Sequence, residues 1–91
     1  MYRILVVDNE PYVADWIASL VEMRCEREVD VCRAYTVKEA LQWLSRTRID
    51  VLVSDIRMPG MDGLALAGIV KEQWPWAKVV LITAFAEVDY A

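Results

Sequence analysis

The chain has 91 residues, 57% of them hydrophobic and 26% charged, which is typical of one small globular domain and excludes a disordered or fibrous chain. Its formal net charge of −4 argues against nucleic-acid binding by this chain, because binding a polyanion needs a basic surface. The absence of histidine excludes His-dependent nucleophiles and His-containing zinc sites, so carboxylates, hydroxyls and lysines must carry any chemistry.

The first half of the chain predicts two strands and two helices. A continuous aliphatic run at 4–7 is typical of a strand buried on both faces. Pro11 suits the first turn of a helix, and Thr36 with Glu39 has the spacing of a capping box that begins another. The predicted strands span about 3–7 and 29–34, and the predicted helices about 11–27 and 36–46.

The second half predicts two more strands and two more helices. One proline and two glycines within 58–63 indicate a loop in which glycine can take a positive φ. Pro75 ends the helix that follows this loop. The predicted strands span about 50–54 and 78–83, and the predicted helices about 63–74 and, as the start of a fourth, 86–91.

The strict alternation of strands and helices predicts the fold class. Each parallel crossover needs a dozen or more residues, and a helix fills them. We therefore expect one α/β domain over 1–91, with a doubly wound parallel sheet and helices on both of its faces.

Cysteine usage and hydropathy predict the compartment. Cys25 and Cys32 do not form a CxxC pair, and no signal peptide precedes them. The longest apolar runs are too short to cross a bilayer. We expect a cytoplasmic protein with reduced cysteines and no membrane contact.

Three predicted strands end on residues whose side chains can react or bind a ligand: Asp8, Asp55 and Thr83. Ligands bind beyond the carboxyl ends of strands in open parallel sheets. If the first and third strands are neighbours, Asp8 and Asp55 share one crevice, where two carboxylates would share a proton or recruit a hard cation such as Mg²⁺. An aspartate can also attack phosphorus. Any one of these residues alone is more simply read as a helix cap or a solvated loop residue.

Three segments in this order carry a resemblance to a known family. They are 4–11 (ILVVDNEP), 55–64 (DIRMPGMDGL) and 79–84 (VVLITA). Together they resemble the receiver domain of two-component response regulators over the whole chain. The segment Asn9 to Pro11 and the residues 85–90 look most similar to receivers that are attached to AraC-type helix-turn-helix regulators.

The resemblance implies both a fold and a set of roles. The fold is flavodoxin-like, with strand order 2-1-3-4 here and a fifth strand beyond. Asp55 would accept a phosphoryl group from a sensor histidine kinase, and the domain would control an output module that binds DNA. Such a domain is a phosphoacceptor and not an enzyme, although it would assist its own phosphotransfer and dephosphorylation.

The remaining site roles also come from the resemblance. Asp8, Asn9, Asp55 and the Arg57 backbone carbonyl would hold Mg²⁺. Thr83 would sense the phosphoryl group, and Ala84 would leave access to Asp55.

Two departures from the family pattern alter these expectations. Asn9 stands where the family has a second acidic residue, which predicts weaker Mg²⁺ binding unless Glu10 acts as an auxiliary acid. The family's fifth strand, its terminal lysine and its fifth helix are absent from these 91 residues, so we expect a receiver domain that is incomplete at its C-terminal side.

These departures leave alternatives open. The surfaces that the missing elements would cover predict a homodimer, and the chain could serve as a dimerisation or interaction module that does not depend on phosphorylation. A small hydrolase that uses Asp8 and Asp55 as acid and base is the least favoured interpretation.

Overall fold

The computed structural model describes residues 1–25, 28–58, 60 and 62–82. Four strands and three helices alternate through this part of the chain. They are β1 (Tyr2–Val7), α1 (Pro11–Arg24), β2 (Val29–Ala34), α2 (Val37–Arg46), β3 (Val51–Asp55), α3 (Gly63–Gln73) and β4 (Lys78–Ile82).

The strands form one parallel sheet in the order β2-β1-β3-β4, which confirms the predicted fold class and strand order. Alternate residues of β1 divide the core between the two faces of the sheet. Leu5 and Val7 belong to the cluster with α2 and α3, and Ile4 and Val6 belong to the cluster with α1. Burial on both faces explains why the strand is apolar without alternation.

The predicted capping box begins α2, with one change in its partners. The Thr36 side chain accepts a hydrogen bond from the Glu39 backbone N–H at 3.1 Å. The Glu39 carboxylate in turn accepts from the backbone N–H of Tyr35 at 3.2 Å, one residue before the N-cap. Thr36 is therefore the cap and Val37 the first helical residue, where the sequence predicted a start at 36.

Other predicted boundaries differ by one to three residues. Helix α1 ends at Arg24, not at 27, because Cys25 takes an extended backbone conformation. Val21 is the last residue of α1 that packs against the core cluster on this face of the sheet. Asp55 belongs to β3 itself and pairs with Ile82.

Some predictions lie outside the described residues. They are the helix start at 86–91, the last residue of the strand predicted over 78–83, and the placement of Thr83 and Ala84. Among the helices that the structure describes, none is long and apolar enough to cross a membrane.

Candidate functional site

The site is built at the carboxyl ends of the two central strands. The last β1–β3 pair joins Val7 to Ser54, so Asp8 and Asp55 follow side by side on strands that lie about 4.8 Å apart in a sheet. Both are buried, with 3% and 8% of their surface exposed. The predicted meeting of these two side chains in one crevice therefore matches the sheet register.

Backbone N–H groups hold one oxygen of each carboxylate. Asp8 Oδ1 accepts from the Glu10 N–H at 2.9 Å, and Asp55 Oδ1 accepts from the Arg57 N–H at 3.3 Å. Each contact runs from a strand end to the residue two positions later. It therefore fixes the carboxylate relative to its own loop and leaves the second oxygen for another partner.

Electrostatics disfavour two negative charges in this crevice. Burial raises the pKa of Asp8, the hydrogen bond from the Glu10 backbone opposes that rise, and the nearby negative charge of Asp55 adds to it. A cation placed between the carboxylates would offset both the burial and the repulsion.

A cavity of about 390 Å³ opens beside the two carboxylates. Its other walls are apolar and come from α1 and the end of β4: Val13, Trp16, Ile17, Leu20, Val21 and Ile82. The Trp16 side chain lines this cavity and is 63% exposed, so its fluorescence is placed to report on the site.

The available donors fit magnesium. In the described part of the chain no group of three or more His, Cys, Asp and Glu residues is arranged to hold one metal ion. The buried charged donors that lie side by side here are Asp8 and Asp55. Mg²⁺ takes one or two carboxylates and keeps several waters, whereas structural zinc sites need four cysteine or histidine ligands.

Three further predicted site residues lie close to this pair in the chain: Asn9, Glu10 and Arg57. Asn9 and Glu10 are exposed immediately after β1, and Arg57 is exposed beside Asp55. The Tyr12 hydroxyl is hydrogen-bonded to the Glu10 side chain, which is the main reason that the pKa of Tyr12 is raised. The predicted metal and auxiliary roles of Asn9, Glu10 and Arg57 stay predictions. So do the sensing roles of Thr83 and Ala84, which lie outside the described residues.

Sequence reasoning missed the role of Gly63. It grouped the glycines of 58–63 as loop residues suited to a positive φ, and that conformation belongs to Gly60, with φ of 82°. Gly63 is the first residue of α3 and is buried against the backbone of Asp55. A glycine directly after a capping Asp62 is the one sequence signal that could have indicated a close approach of helix and strand.

The fold and the site can now be compared with known proteins. The model of the family described as response regulator receiver domain matches residues 4–91. The chain is a receiver domain of that family. This confirms the resemblance carried by the three sequence segments.

Curated relatives agree with this assignment. The chain is 40% identical over 90 residues to the DNA-binding transcriptional regulator NtrC of Proteus hauseri, and this match covers 98% of the chain and 18% of that protein. It is 34% identical over 88 residues to the regulatory protein VanR of Enterococcus faecium, covering 96% of the chain and 36% of VanR. The receiver domain thus spans well under half the length of these relatives.

Solved structures share the fold. The response regulator protein TrrA of Thermotoga maritima, in complex with Mg²⁺-BeF, has a TM-score of 0.84 and 32% identity, and the match covers 94% of this chain and 72% of that one. TrrA in complex with the histidine kinase ThkA has a TM-score of 0.82, again at 32% identity, covering 97% of this chain and 73% of that one. None of these findings supports the predicted homodimer, which stays a prediction.

Proposed function

We propose that this receiver domain accepts a phosphoryl group on Asp55 from a sensor histidine kinase, in a Mg²⁺-dependent reaction that controls a DNA-binding output domain. One observation carries the proposal: Asp55 is buried at the end of a central strand beside a second carboxylate, with one oxygen anchored by a backbone N–H. This arrangement leaves the other oxygen available to act as a nucleophile.

The chain's own residues prepare the transfer. The Arg57 N–H fixes the Asp55 carboxylate, and in-line attack then forms a bond from its oxygen to phosphorus while the donor's phosphorus–nitrogen bond breaks. The leaving histidine nitrogen keeps the electron pair and takes up a proton. Mg²⁺, when bound by Asp8, Asp55, the Asn9 amide and the Arg57 carbonyl, supplies positive charge for the phosphoryl oxygens.

The same geometry supports the non-enzymatic character of the domain. Asp55 is both the reacting group and the product-bearing group, so the chain assists one transfer to itself and the later hydrolysis. In the family pattern Thr83 would hydrogen-bond the phosphoryl group and Ala84 would leave room for it. Recruitment of Thr83 would carry the signal to the surface around β4.

Partners are proposed from the relatives. TrrA is bound to a histidine kinase in its complex, and NtrC is by name a DNA-binding transcriptional regulator. This chain's net charge of −4 favours DNA binding by another domain and not by the receiver itself.

Phosphorylation of the full-length protein tests the proposal. We expect incubation with acetyl phosphate and Mg²⁺ to add the mass of one phosphoryl group to the protein. Hydroxylamine should remove this added mass, because it cleaves acyl phosphates. Asp55→Asn should abolish labelling. Asp62→Asn is the matched control, because it removes an exposed carboxylate from the same loop while asparagine still caps α3.

Other outcomes would decide against the proposal. Equal labelling of wild type and Asp55→Asn would place the phosphoryl group elsewhere. Turnover of a phosphate ester without any labelled protein would favour the alternative of an acid–base hydrolase. An unlabelled protein that is an obligate dimer would favour the interaction module.

A further inference from the structure

Helix α3 begins in direct contact with the backbone of the proposed phosphoacceptor. A Cβ atom built on Gly63 would lie 2.1 Å from the Asp55 carbonyl oxygen and 3.0 Å from its carbonyl carbon. These are backbone atoms of a central strand and cannot rotate away as a flexible side chain would. Only glycine lets the helix approach this closely.

Hydrogen bonds hold the helix at this distance. The Gly63 N–H donates to the Ile56 carbonyl at 2.8 Å, and the Ile56 N–H donates to the Ile82 carbonyl at 3.0 Å. Asp62 caps the helix, since its side chain accepts from the Ala65 N–H at 2.8 Å. The start of α3, the end of β3 and the end of β4 are therefore joined through the peptide that follows Asp55.

This peptide also sets the geometry of the site. The Asp55 carboxylate is anchored by the N–H of Arg57, and Arg57 follows Ile56, which accepts the hydrogen bond from Gly63. The chain that leaves the strand after Asp55 thus returns to it at Gly63. A shift of the start of α3 would therefore act on the Ile56 carbonyl, directly before the N–H that holds the carboxylate.

We propose that Gly63 is a positioning residue for Asp55: the absence of a side chain allows the start of α3 to hold the Asp55–Arg57 segment in its reactive geometry. The inference rests on the proposed role of Asp55 as phosphoacceptor. Gly63 acts through the Asp55 backbone and does not touch the phosphoryl group.

The substitution Gly63→Ala tests the contact. Real Cβ atoms essentially never lie closer than 3.0 Å to such a neighbouring atom, so the helix and the strand must separate by about 1 Å to admit the alanine side chain. A misplacement of about that size can slow a reaction on the order of 100-fold. We expect Gly63→Ala to slow phosphorylation from acetyl phosphate by at least about tenfold and to raise the Mg²⁺ concentration for half-saturation. Both are measured on the full-length protein, the second from tryptophan fluorescence with Trp16→Phe identifying the reporter.

Two variants in the same helix serve as controls. Gly68→Ala makes the same chemical change where nothing lies within 4 Å of the new Cβ, so it should react as the wild type does. Val70→Ala removes a fully buried side chain at the other end of α3, about 10 Å away along the helix. It should lower stability without changing the Mg²⁺ half-saturation of the folded protein.

These controls separate positioning from simple loss of stability. The inference would be overturned if Gly63→Ala and Val70→Ala, compared at an equal folded fraction, had the same phosphorylation rate and the same Mg²⁺ half-saturation. A wild type that binds Mg²⁺ but is never labelled would overturn the proposed function instead, and the Mg²⁺ titrations would still test Gly63.

A measurement on the unaltered protein covers the case in which Gly63→Ala does not fold. If the start of α3 and the site are coupled, Mg²⁺ with beryllofluoride should slow hydrogen exchange of the Gly63 amide at least about threefold more than that of the Val70 amide. Equal slowing of both amides, or no change at Gly63, would overturn the proposal.

Discussion

The two ends of the sheet differ in how their charged side chains are paired. At the carboxyl end, Asp8 and Asp55 are buried next to each other with the same sign of charge. At the amino end, Arg3 is paired with Asp30 at 2.8 Å, and its backbone N–H donates to Asp50 at 2.9 Å. The carboxyl end therefore has two neighbouring carboxylates of like charge, whereas the amino end pairs its carboxylates with Arg3.

The amino end joins distant parts of the chain. The Arg3 guanidinium also hydrogen-bonds the Thr47 hydroxyl, and the backbone of Asp50 donates to the Arg3 carbonyl at 2.8 Å. The Lys78 N–H donates to the Asp50 carbonyl at 3.0 Å. The starts of β1, β3 and β4 therefore meet at Asp50.

The largest effect on stability should come from Asp50→Ala. This variant removes the acceptor of a partly buried backbone N–H and one partner of Arg48. We expect the free energy of unfolding, from urea denaturation, to fall by roughly 1–3 kcal/mol. Asp50→Asn keeps an acceptor oxygen and should lose less.

The same variant sharpens the contrast between the ends. Asp50→Ala should keep Mg²⁺ binding and phosphorylation in its folded fraction, because the contacts it removes all lie at the amino end. A loss of Mg²⁺ affinity larger than the change in folded fraction would contradict the separation of the two ends.

Asp8→Asn should have the next largest effect, in the opposite direction. The amide oxygen can still accept from the Glu10 N–H, while the buried charge beside Asp55 is lost. We expect the free energy of unfolding without Mg²⁺ to rise by about 0.5–2 kcal/mol at pH 7, and Mg²⁺ binding to be largely lost. A variant less stable than the wild type in EDTA would contradict this account.

The pH dependence of that gain follows from linkage. The pKa of Asp8 is raised above its ordinary value of 3.8 in the fold, so the folded chain holds this proton more tightly than the unfolded chain does. Below pH 3.8 Asp8 is mostly protonated in both the folded and the unfolded chain, so its ionisation does not lower the free energy of unfolding. Above the folded-state pKa it is ionised in both, and the full cost of burying its charge applies. The advantage of Asp8→Asn should therefore shrink as the pH falls toward 3.8, as urea denaturation at several pH values would show.

Sequence patterns predict the carboxyl end of the sheet better than the amino end. Short aliphatic runs ending in Asp8 and Asp55 already indicate two strand ends at the same edge of the sheet, because the carboxyl ends of parallel strands meet there. That the two strands are neighbours is shown by the structure. The pairing of Arg3 with Asp50 joins residues 47 positions apart, and no periodicity or motif signals it. The close approach of Gly63 likewise depends on how a helix packs on a strand, which spacing along the chain does not contain.

A smaller effect should come from the contact between Arg48 and Trp76. The Arg48 guanidinium carbon lies 5.2 Å from the centre of the Trp76 ring, and both side chains are exposed. A double-mutant cycle with Arg48→Gln and Trp76→Leu should give a coupling energy of about 0.5 kcal/mol. A coupling of zero would mean that the ring contributes nothing to holding Arg48 at the amino end.

The smallest expected change in stability is that of Asn9→Asp, and it carries the most information about function. A carboxylate at this exposed position adds a further negative charge near Asp8, beside those of Asp55 and Glu10. The free energy of unfolding without Mg²⁺ should therefore fall by a few tenths of a kcal/mol, the usual size for an exposed like-charge contact. With Mg²⁺ the same charge becomes attractive. Calorimetric titration should show tighter Mg²⁺ binding than in the wild type.

Glu10→Gln is the matched control for Asn9→Asp. It removes a neighbouring exposed carboxylate, whose side chain is hydrogen-bonded to the Tyr12 hydroxyl. If Glu10 compensates for Asn9 as an auxiliary acid, Glu10→Gln should weaken Mg²⁺ binding in the wild type and have less effect when it is combined with Asn9→Asp. Unchanged affinity in Asn9→Asp would mean that the amide already serves the ion as well as a carboxylate does.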